Sequence, residues 1–143
     1  MELRTEIEIE ASPEEVWNVL TDFARYPEWN PFLVKMKGSL RAGERLEVTM
    51  SLPDSNKEYV FRPRLLLCEA PRELRWLGHL WFKGLFDGEH FFRLKESAPG
   101  ITRLVHGEDF SGLFLRLALG TVTEAGRGFA YMNQALKRRV EKR

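Results

Sequence analysis

The sequence predicts an α+β domain in which a curved antiparallel sheet packs around one long C-terminal helix. Three observations support this fold class. Alternating polar and apolar residues, typical of half-buried strands, recur between Thr5 and Phe110. A helix start signal follows the first of these strands, and the C-terminal segment repeats apolar residues at helical spacing. A run of strands followed by a long helix is typical of the α+β class.

Local signals define the first strand and the helices that follow it. In Thr5–Glu10, two isoleucines alternate with polar residues and therefore share one face of a strand. Ser12 and Glu15 have the spacing of a capping box, and Pro13 suits the first helical position, so a short helix is predicted from Pro13. Two prolines within Thr21–Phe32 prevent one long helix, so a second short helix and a turn are expected there.

The segment from Leu33 to Phe110 has the pattern of strands joined by turns. A strand over Tyr59–Cys68 contains Pro63, which cannot donate a ladder hydrogen bond and therefore indicates an edge or a bulge. Ser97–Gly100 has the composition of a hairpin turn, so the strands on either side of it are expected to pair. The other strands expected in this segment include Leu46–Met50, Leu74–Leu80, Glu89–Lys95 and Thr102–Phe110.

After Gly112 the chain is predicted to form one long helix. Three glycines interrupt this segment, each costing up to about 1 kcal/mol relative to alanine, so the early part of the helix is expected to be kinked or irregular. One face of the helix carries an apolar stripe made of Leu115, Leu119, Val122, Phe129, Met132, Leu136 and Val140.

The bulk composition narrows the possible partners. The 143 residues fit a single domain over 1–143. The 22 basic and 21 acidic residues give a net charge of +1, which is too small to attract nucleic acid electrostatically. No apolar run reaches the roughly 20 residues of a membrane span, no signal peptide is recognisable, and a single cysteine forms no internal disulfide. The three histidines lack the close spacing of zinc ligands. We therefore expect a cytoplasmic monomer or homodimer with no metal, cofactor, nucleic-acid partner or transmembrane segment.

Aromatic side chains are more numerous than a minimal core of this size needs. A sheet curved around one helix cannot fill its concave side completely, so large rings on that side are expected to line an apolar pocket for a small molecule. Ordinary core packing is the alternative explanation for each ring taken alone. The aromatic residues concerned are Trp17, Tyr26, Trp29, Phe32, Phe61, Trp76, Trp81, Phe82, Phe92 and Phe110.

Two histidines and a glutamate are the candidate polar groups of that pocket. Alternation along Thr102–Phe110 places His106 and Glu108 on the inner face of the strand, two residues apart. Such a pair could hydrogen-bond a ligand carbonyl or hydroxyl, or serve as acid and base near neutral pH. Alternatively, His106 only satisfies a neighbouring carboxylate or lies at a water-filled mouth. His90 has the parity of Phe92 and is also expected to point inward.

Several stretches of the sequence resemble the START-like (SRPBCC) superfamily. They are Ser12–Trp17, Leu20–Phe23, Tyr26–Phe32, Glu108–Gly112 and Phe129–Lys137, in an order that covers essentially the whole chain. The likeness is greatest to small bacterial polyketide cyclase/dehydrase and lipid-transport-like members. It implies a Bet v 1-like helix-grip fold, in which about seven antiparallel strands grip the C-terminal helix and leave a cavity. Members bind lipids, polyketides, quinones or plant hormones, and some catalyse cyclisation or dehydration.

Three functions are open from the sequence. The first is binding or transport of a hydrophobic lipid, polyketide or quinone-like molecule. The second is a polyketide cyclase or dehydratase that uses His106 and Glu108 as acid and base. The third is a protein-interaction module like the chaperone-activating relatives, with a filled core. The residues expected to contact a ligand are Trp17, Trp29, Phe32, Trp76, His90, Phe92, Leu104, His106, Glu108, Phe110, Val122 and Phe129.

Overall fold

The computed structural model describes residues 1–80, 84 and 86–142. Trp81 and Phe82, two of the aromatic residues singled out above, lie outside the described residues. The strands are β1 (Glu2–Ile9), β2 (Leu33–Lys37), β3 (Glu47–Ser51), β4 (Glu58–Phe61), β5 (Arg64–Glu69), β6 (Glu73–Leu80), β7 (Phe86–Ala98) and β8 (Ile101–Ser111). The helices are α1 (Pro13–Leu20), α2 (Tyr26–Trp29) and α3 (Leu119–Glu141), with 3-10 turns at Phe23–Arg25 and Leu115–Ala118.

The predicted α+β fold class is confirmed. Five strands form one antiparallel sheet in the order β1-β8-β7-β6-β5, and β2-β3-β4 form a second antiparallel sheet. The β7–β8 hairpin keeps one register from Asp87 to Glu96, with His90 opposite Glu108 and Phe92 opposite His106. Because no bulge interrupts this stretch, the alternation of inward and outward side chains holds along both strands.

The short helix α1 begins where the sequence signal places it. The Ser12 hydroxyl accepts the backbone N–H of Glu15 at 3.2 Å, and the Glu15 carboxylate accepts the backbone N–H of Ser12 at 3.2 Å. Pro13 occupies the first helical position, and Val16, Trp17 and Leu20 form the buried face. The predicted capping box is therefore present with both of its hydrogen bonds.

The expected strand over Tyr59–Cys68 is divided in two, which is one reason why the described part of the chain has eight strands where about seven were expected. β4 ends at Phe61 and β5 begins at Arg64, with Pro63 between them. Pro63 has no N–H to give to a ladder, but its carbonyl accepts the backbone N–H of Leu46 at 2.9 Å. The chain passes at this point from the three-stranded sheet to the five-stranded sheet.

The long helix α3 lies across the concave face and closes the core. The irregularity expected at its start is a 3-10 turn over Leu115–Ala118, and α3 then continues through all three glycines to Glu141. Among the described residues, no helix is both long and apolar enough to cross a membrane. The buried face of α3 consists of Val122, Ala125, Gly128, Phe129, Met132, Asn133, Ala135, Leu136 and Val140.

Candidate functional site

A cavity of about 300 Å³ lies between the N-terminal half of α3 and the sheets. Most of its wall is apolar. The sheets contribute Leu33, Met50, Phe61, Phe86 and Phe110, and the helical side contributes Phe114, Leu117, Ala118, Val122 and Ala125. Leu117 is 86% exposed although it lines the cavity, so the cavity opens to solvent beside this residue.

Two histidine–carboxylate pairs lie in the wall of the cavity. On β7 and β8, His90 Nδ1 lies 3.1 Å from Oε1 of Glu108. On β6 and β7, His79 Nδ1 lies 2.7 Å from Oδ1 of Asp87, and these two residues are direct neighbours in the ladder. All four side chains belong to the cavity wall.

The pair formed by His90 and Glu108 continues into the core as a chain of hydrogen bonds. His90 Nε2 lies 2.7 Å from Nε2 of His106, and His106 Nδ1 lies 2.8 Å from Oδ1 of Asn133 on α3. The Asn133 amide donates to the Thr5 hydroxyl at 2.8 Å, and that hydroxyl donates to the backbone carbonyl of His106 at 2.7 Å. Five side chains on β1, β7, β8 and α3 are thus joined into one network that ends at the cavity.

Aromatic rings enclose both imidazoles of this network. The His106 ring is stacked on Phe92 at 4.3 Å and on Phe129 at 4.5 Å between centroids, and the His90 ring is stacked on Trp76 at 4.9 Å. Burial among these rings lowers the pKa of His90 to about 3, and burial together with the neighbouring His90 lowers the pKa of His106 well below its usual range. Both imidazoles are therefore neutral at neutral pH.

Glu108 is the carboxyl group at the cavity end of this network. Its side chain is 18% exposed. Burial raises the pKa of the Glu108 carboxyl to about 8, because the apolar surroundings disfavour its charged form. A carboxyl group that is largely protonated at neutral pH can give a hydrogen bond as well as accept one, and it can act as an acid.

The sequence-predicted residues fall into two groups. His90, Glu108, Phe110 and Val122 line the cavity, whereas the other eight lie elsewhere in the folded chain. Most of those eight are buried and pack against the core or around the imidazoles, outside the residues that line this cavity. The residues outside the cavity wall are Trp17, Trp29, Phe32, Trp76, Phe92, Leu104, His106 and Phe129.

The predicted pairing of His106 with Glu108 also differs from the structure. All of these side chains are on the inner face of the sheet, as alternation predicts, but the direct partner of Glu108 is His90. His90 is the cross-strand neighbour of Glu108, whereas His106 is two positions away along β8. Directly opposite residues of an antiparallel pair are closer than residues i and i+2 of one strand.

Sequence reasoning missed Asn133 and Thr5 as members of the site. Each had a detectable signal. Asn133 is four residues after Phe129 on the buried side of α3, and it is only 3% exposed. Thr5 has the parity of Ile7 and Ile9 on β1. A polar residue on an apolar face requires a hydrogen-bond partner, and here the two residues are partners of each other.

The architecture and the site together define a class of protein. A five-stranded sheet wraps around a long C-terminal helix, and the two enclose an apolar cavity with a few polar groups at one side, which is the arrangement of helix-grip domains. The sequence matches the family described as "Polyketide cyclase / dehydrase and lipid transport" over residues 1–141. The chain belongs to this family.

Solved structures with the same fold share little sequence with this chain. A START superfamily protein from Mycobacterium smegmatis has a TM-score of 0.79 at 19% identity, with 99% of this chain and 97% of that chain covered. The Zhui aromatase/cyclase from Streptomyces sp. R1128 has a TM-score of 0.77 at 17% identity, covering 100% and 94%. An AHSA1-like protein from Aeromonas hydrophila has a TM-score of 0.71 at 21% identity, covering 99% and 93%.

These likenesses establish the fold and leave the ligand and any reaction to be inferred from the site. Among proteins with curated descriptions, none matches the sequence significantly.

Proposed function

We propose that this chain binds an apolar small molecule, such as a lipid or a polyketide-like compound, in the cavity between the sheets and α3. The observation that carries the proposal is a cavity of about 300 Å³ whose wall is mostly apolar and which ends at the polar pair of His90 and Glu108. Apolar pockets with a few placed polar groups are the usual form of small-molecule sites.

The apolar surface that a ligand buries sets the scale of the expected affinity. Burying about 300 Å² of ligand surface contributes roughly 7 kcal/mol, whereas the loss of translational and rotational freedom costs about 4 kcal/mol or more. Apolar contact alone therefore gives weak binding. Glu108 and the neighbouring polar groups supply the orientation and the specificity that the apolar wall lacks.

Entry of the ligand is expected beside the start of α3. Phe114, Leu117 and Ala118 form this part of the wall, and Phe114 is 40% exposed while Leu117 is 86% exposed. The 3-10 turn over Leu115–Ala118 has no buried residue. A segment with few buried contacts opens at low free-energy cost, so this turn is the part of the wall that we expect to move when a ligand enters.

The proposal is tested by filling the cavity. Thr121 and Thr123 are on α3, but Thr121 lines the cavity whereas Thr123 is exposed. Native mass spectrometry after incubation with a lipid extract should detect bound apolar molecules in the wild type and in Thr123→Trp. The Thr121→Trp variant should lose them because its indole occupies the cavity. Absence of any adduct in the wild type, or equal binding by the two variants, would contradict the proposal.

A second candidate function is an acid–base enzyme of the cyclase or dehydratase type. The specific observation in its favour is that the pKa of Glu108, raised by burial to about 8, lies close to neutral pH beside a neutral imidazole. Proton transfer is most effective when the pKa of the catalytic group lies near the working pH. In this version Glu108 and His90 take the roles that the sequence assigned to Glu108 and His106.

A further inference from the structure

The hydrogen-bonded network has a fixed end inside the protein. The backbone carbonyl of His106 can only accept, so the Thr5 hydroxyl, 2.7 Å away, donates its single proton there. The same hydroxyl then accepts from the Asn133 amide at 2.8 Å. This fixes the orientation of that amide, with its oxygen towards Nδ1 of His106 at 2.8 Å.

The orientation of the Asn133 amide determines which ring nitrogen carries the proton in each of the two imidazoles. An amide oxygen accepts, so His106 carries its proton on Nδ1, and its Nε2 has a lone pair. His90 must therefore donate from its own Nε2 across the 2.7 Å contact with Nε2 of His106. A neutral His90 has no second proton, so its Nδ1 is an acceptor facing Oε1 of Glu108 at 3.1 Å.

We propose that Thr5 and Asn133 are positioning residues that fix the direction of hydrogen-bond donation in this network. As a result, Glu108 donates its proton to His90 and presents its other oxygen to the cavity as a neutral acceptor. Each side chain of the network donates a hydrogen bond to the next one, from Glu108 through the two imidazoles and Asn133 to Thr5. To reverse the direction of donation, both imidazoles must move their protons to the other ring nitrogen and the Asn133 amide must turn over. The turned amide no longer donates its hydrogen bond to the Thr5 hydroxyl.

This direction specifies a ligand class, a step that rests on the proposed function. Oε2 of Glu108 is the oxygen that His90 does not contact, and as the carbonyl oxygen of a neutral acid it accepts a hydrogen bond. The structure therefore favours an apolar alcohol or phenol. A carboxylate ligand is disfavoured because the described residues of the wall include no lysine or arginine.

Other titratable groups also line the cavity, and their protonation contributes to any pH titration of the site. Apart from His90 and Glu108, the described lining residues include Tyr59 on β4, His79 on β6 and Asp87 on β7, whereas α3 contributes none. Asp87 is paired with His79 at 2.7 Å. A titration of the site must therefore be assigned to Glu108 by its own carboxyl resonance and not by a global signal.

The direction of donation in the hydrogen-bonded network is tested without any ligand, by NMR of the histidine side-chain nitrogens. The wild type should show His106 protonated on Nδ1 and His90 protonated on Nε2 at neutral pH. In Asn133→Leu, His106 is free to carry its proton on Nε2, and His90 can then donate from Nδ1 to an ionised Glu108. The Glu108 carboxyl should titrate at a pH lower by about one unit or more, because it gains a hydrogen bond to its charged form.

A second pair of variants, at Thr5, provides the same test if Asn133→Leu does not fold. Thr5→Val keeps the β-branched shape but removes the hydroxyl, and Thr5→Ser keeps the hydroxyl. Valine should change the tautomers and the Glu108 titration in the same sense as Asn133→Leu, and serine should preserve both. The opposite tautomers in the wild type, or an unchanged Glu108 titration in both Thr5→Val and Asn133→Leu, would overturn the proposal.

The ligand class is tested with three probes of one shape: 2-naphthol, 2-methoxynaphthalene and 2-naphthoate. The wild type should bind the naphthol about three- to tenfold more tightly than the methyl ether, the range of one net hydrogen bond, and should bind the carboxylate most weakly. In Glu108→Leu the preference for the naphthol should disappear. Equal affinity for the naphthol and its ether contradicts the acceptor role, whereas binding of none of the probes contradicts the proposed function and leaves the NMR result to decide the positioning roles.

Discussion

The carboxyl group of Glu108 lies directly over Gly88 of the neighbouring strand, at a spacing that leaves no room for a side chain on Gly88. A Cβ atom on Gly88 would lie 2.0 Å from Oε2 and 3.0 Å from Cδ of Glu108. Gly88 also lines the cavity. The missing side chain at Gly88 therefore leaves the space that the Glu108 carboxyl occupies.

Replacing Gly88 with alanine should displace the Glu108 carboxyl. The carboxyl end of the side chain is the group that must move, so the expected result is loss of the bond to His90, at a cost of about 1 kcal/mol in the free energy of unfolding. The pKa of Glu108 should fall as the carboxyl moves towards water. Chemical denaturation and NMR titration of the Glu108 carboxyl measure these two effects, and an unchanged titration would show that the close approach has no role in the site.

The free energy of unfolding should pass through a maximum near pH 6.5. The pKa of His90 falls from 6.5 to about 3 on folding, and that of His106 shifts the same way, so their contribution is present above pH 6.5 and is lost as the pH falls. The pKa of Glu108 rises from 4.5 to about 8, so its contribution is present below pH 4.5 and is lost as the pH rises through 8. Urea denaturation between pH 4 and pH 9 measures the curve.

The variant Glu108→Gln isolates the alkaline side of that curve. A glutamine amide donates to Nδ1 of His90 as the protonated acid does, but it does not titrate. Its stability should therefore remain level between pH 6.5 and pH 8, where the wild type loses stability. If the variant declines as steeply as the wild type, Glu108 is not the group that titrates.

The same substitution separates a binding protein from an acid–base enzyme. Glu108→Gln keeps a donor towards His90 and an acceptor towards the cavity, so affinity for an apolar ligand should change by less than about threefold. It cannot transfer a proton, so any turnover that depends on Glu108 should fall by about 100-fold or more. Measuring ligand affinity and product formation with the same polyketide-like substrate distinguishes the two functions.

Gly107 on β8 should not tolerate a side chain. A Cβ there would lie 2.4 Å from the backbone oxygen of Leu3 and 2.6 Å from Cζ of Phe91. The guanidinium groups of Arg75 and Arg93 lie over the Phe91 ring, at 4.9 and 4.5 Å from its centroid, and these contacts limit its movement. We expect Gly107→Ala to destabilise the fold by about 1–3 kcal/mol.

The matched control for that substitution is Gly120→Ala on α3. A Cβ at Gly120 meets nothing within 4 Å, so the change should stabilise the fold by up to about 1 kcal/mol through helix propensity alone. Thermal or urea unfolding of the two variants provides the comparison. Similar effects at both positions would contradict the packing described for the outer face of β8.

The sequence predicted those parts of the fold that depend on local signals. The capping box of Ser12 and Glu15 lies within four consecutive residues, and its hydrogen bonds depend on nothing distant. The parity of His106 and Glu108 required only that β8 have no bulge. The chemistry of the site was predictable to this extent, since a histidine and a glutamate on the inner face of a strand must find partners or a cavity.

The identity of those partners was not predictable, because it depends on strand register and on the rotation of a helix. His90 meets Glu108 through the alignment of two strands, and Asn133 reaches His106 from α3, 27 residues away in the sequence. Trp76 and Phe92 were expected to line the cavity, but they pack against the two imidazoles. A period-two pattern assigns a face to each residue and does not say how far along the cavity it lies.

NMR titration with 2-naphthol measures whether an apolar molecule enters the cavity between the sheets and α3. If it does, the methyl resonances of Leu33, Val122 and Ala125, which belong to the cavity wall, should shift. The methyl resonances of Val16 and Leu20, which are buried in the core beside α1, should not shift. Shifts confined to exposed residues, or no saturable shifts of the wall methyl groups, would show that the cavity does not bind the molecule.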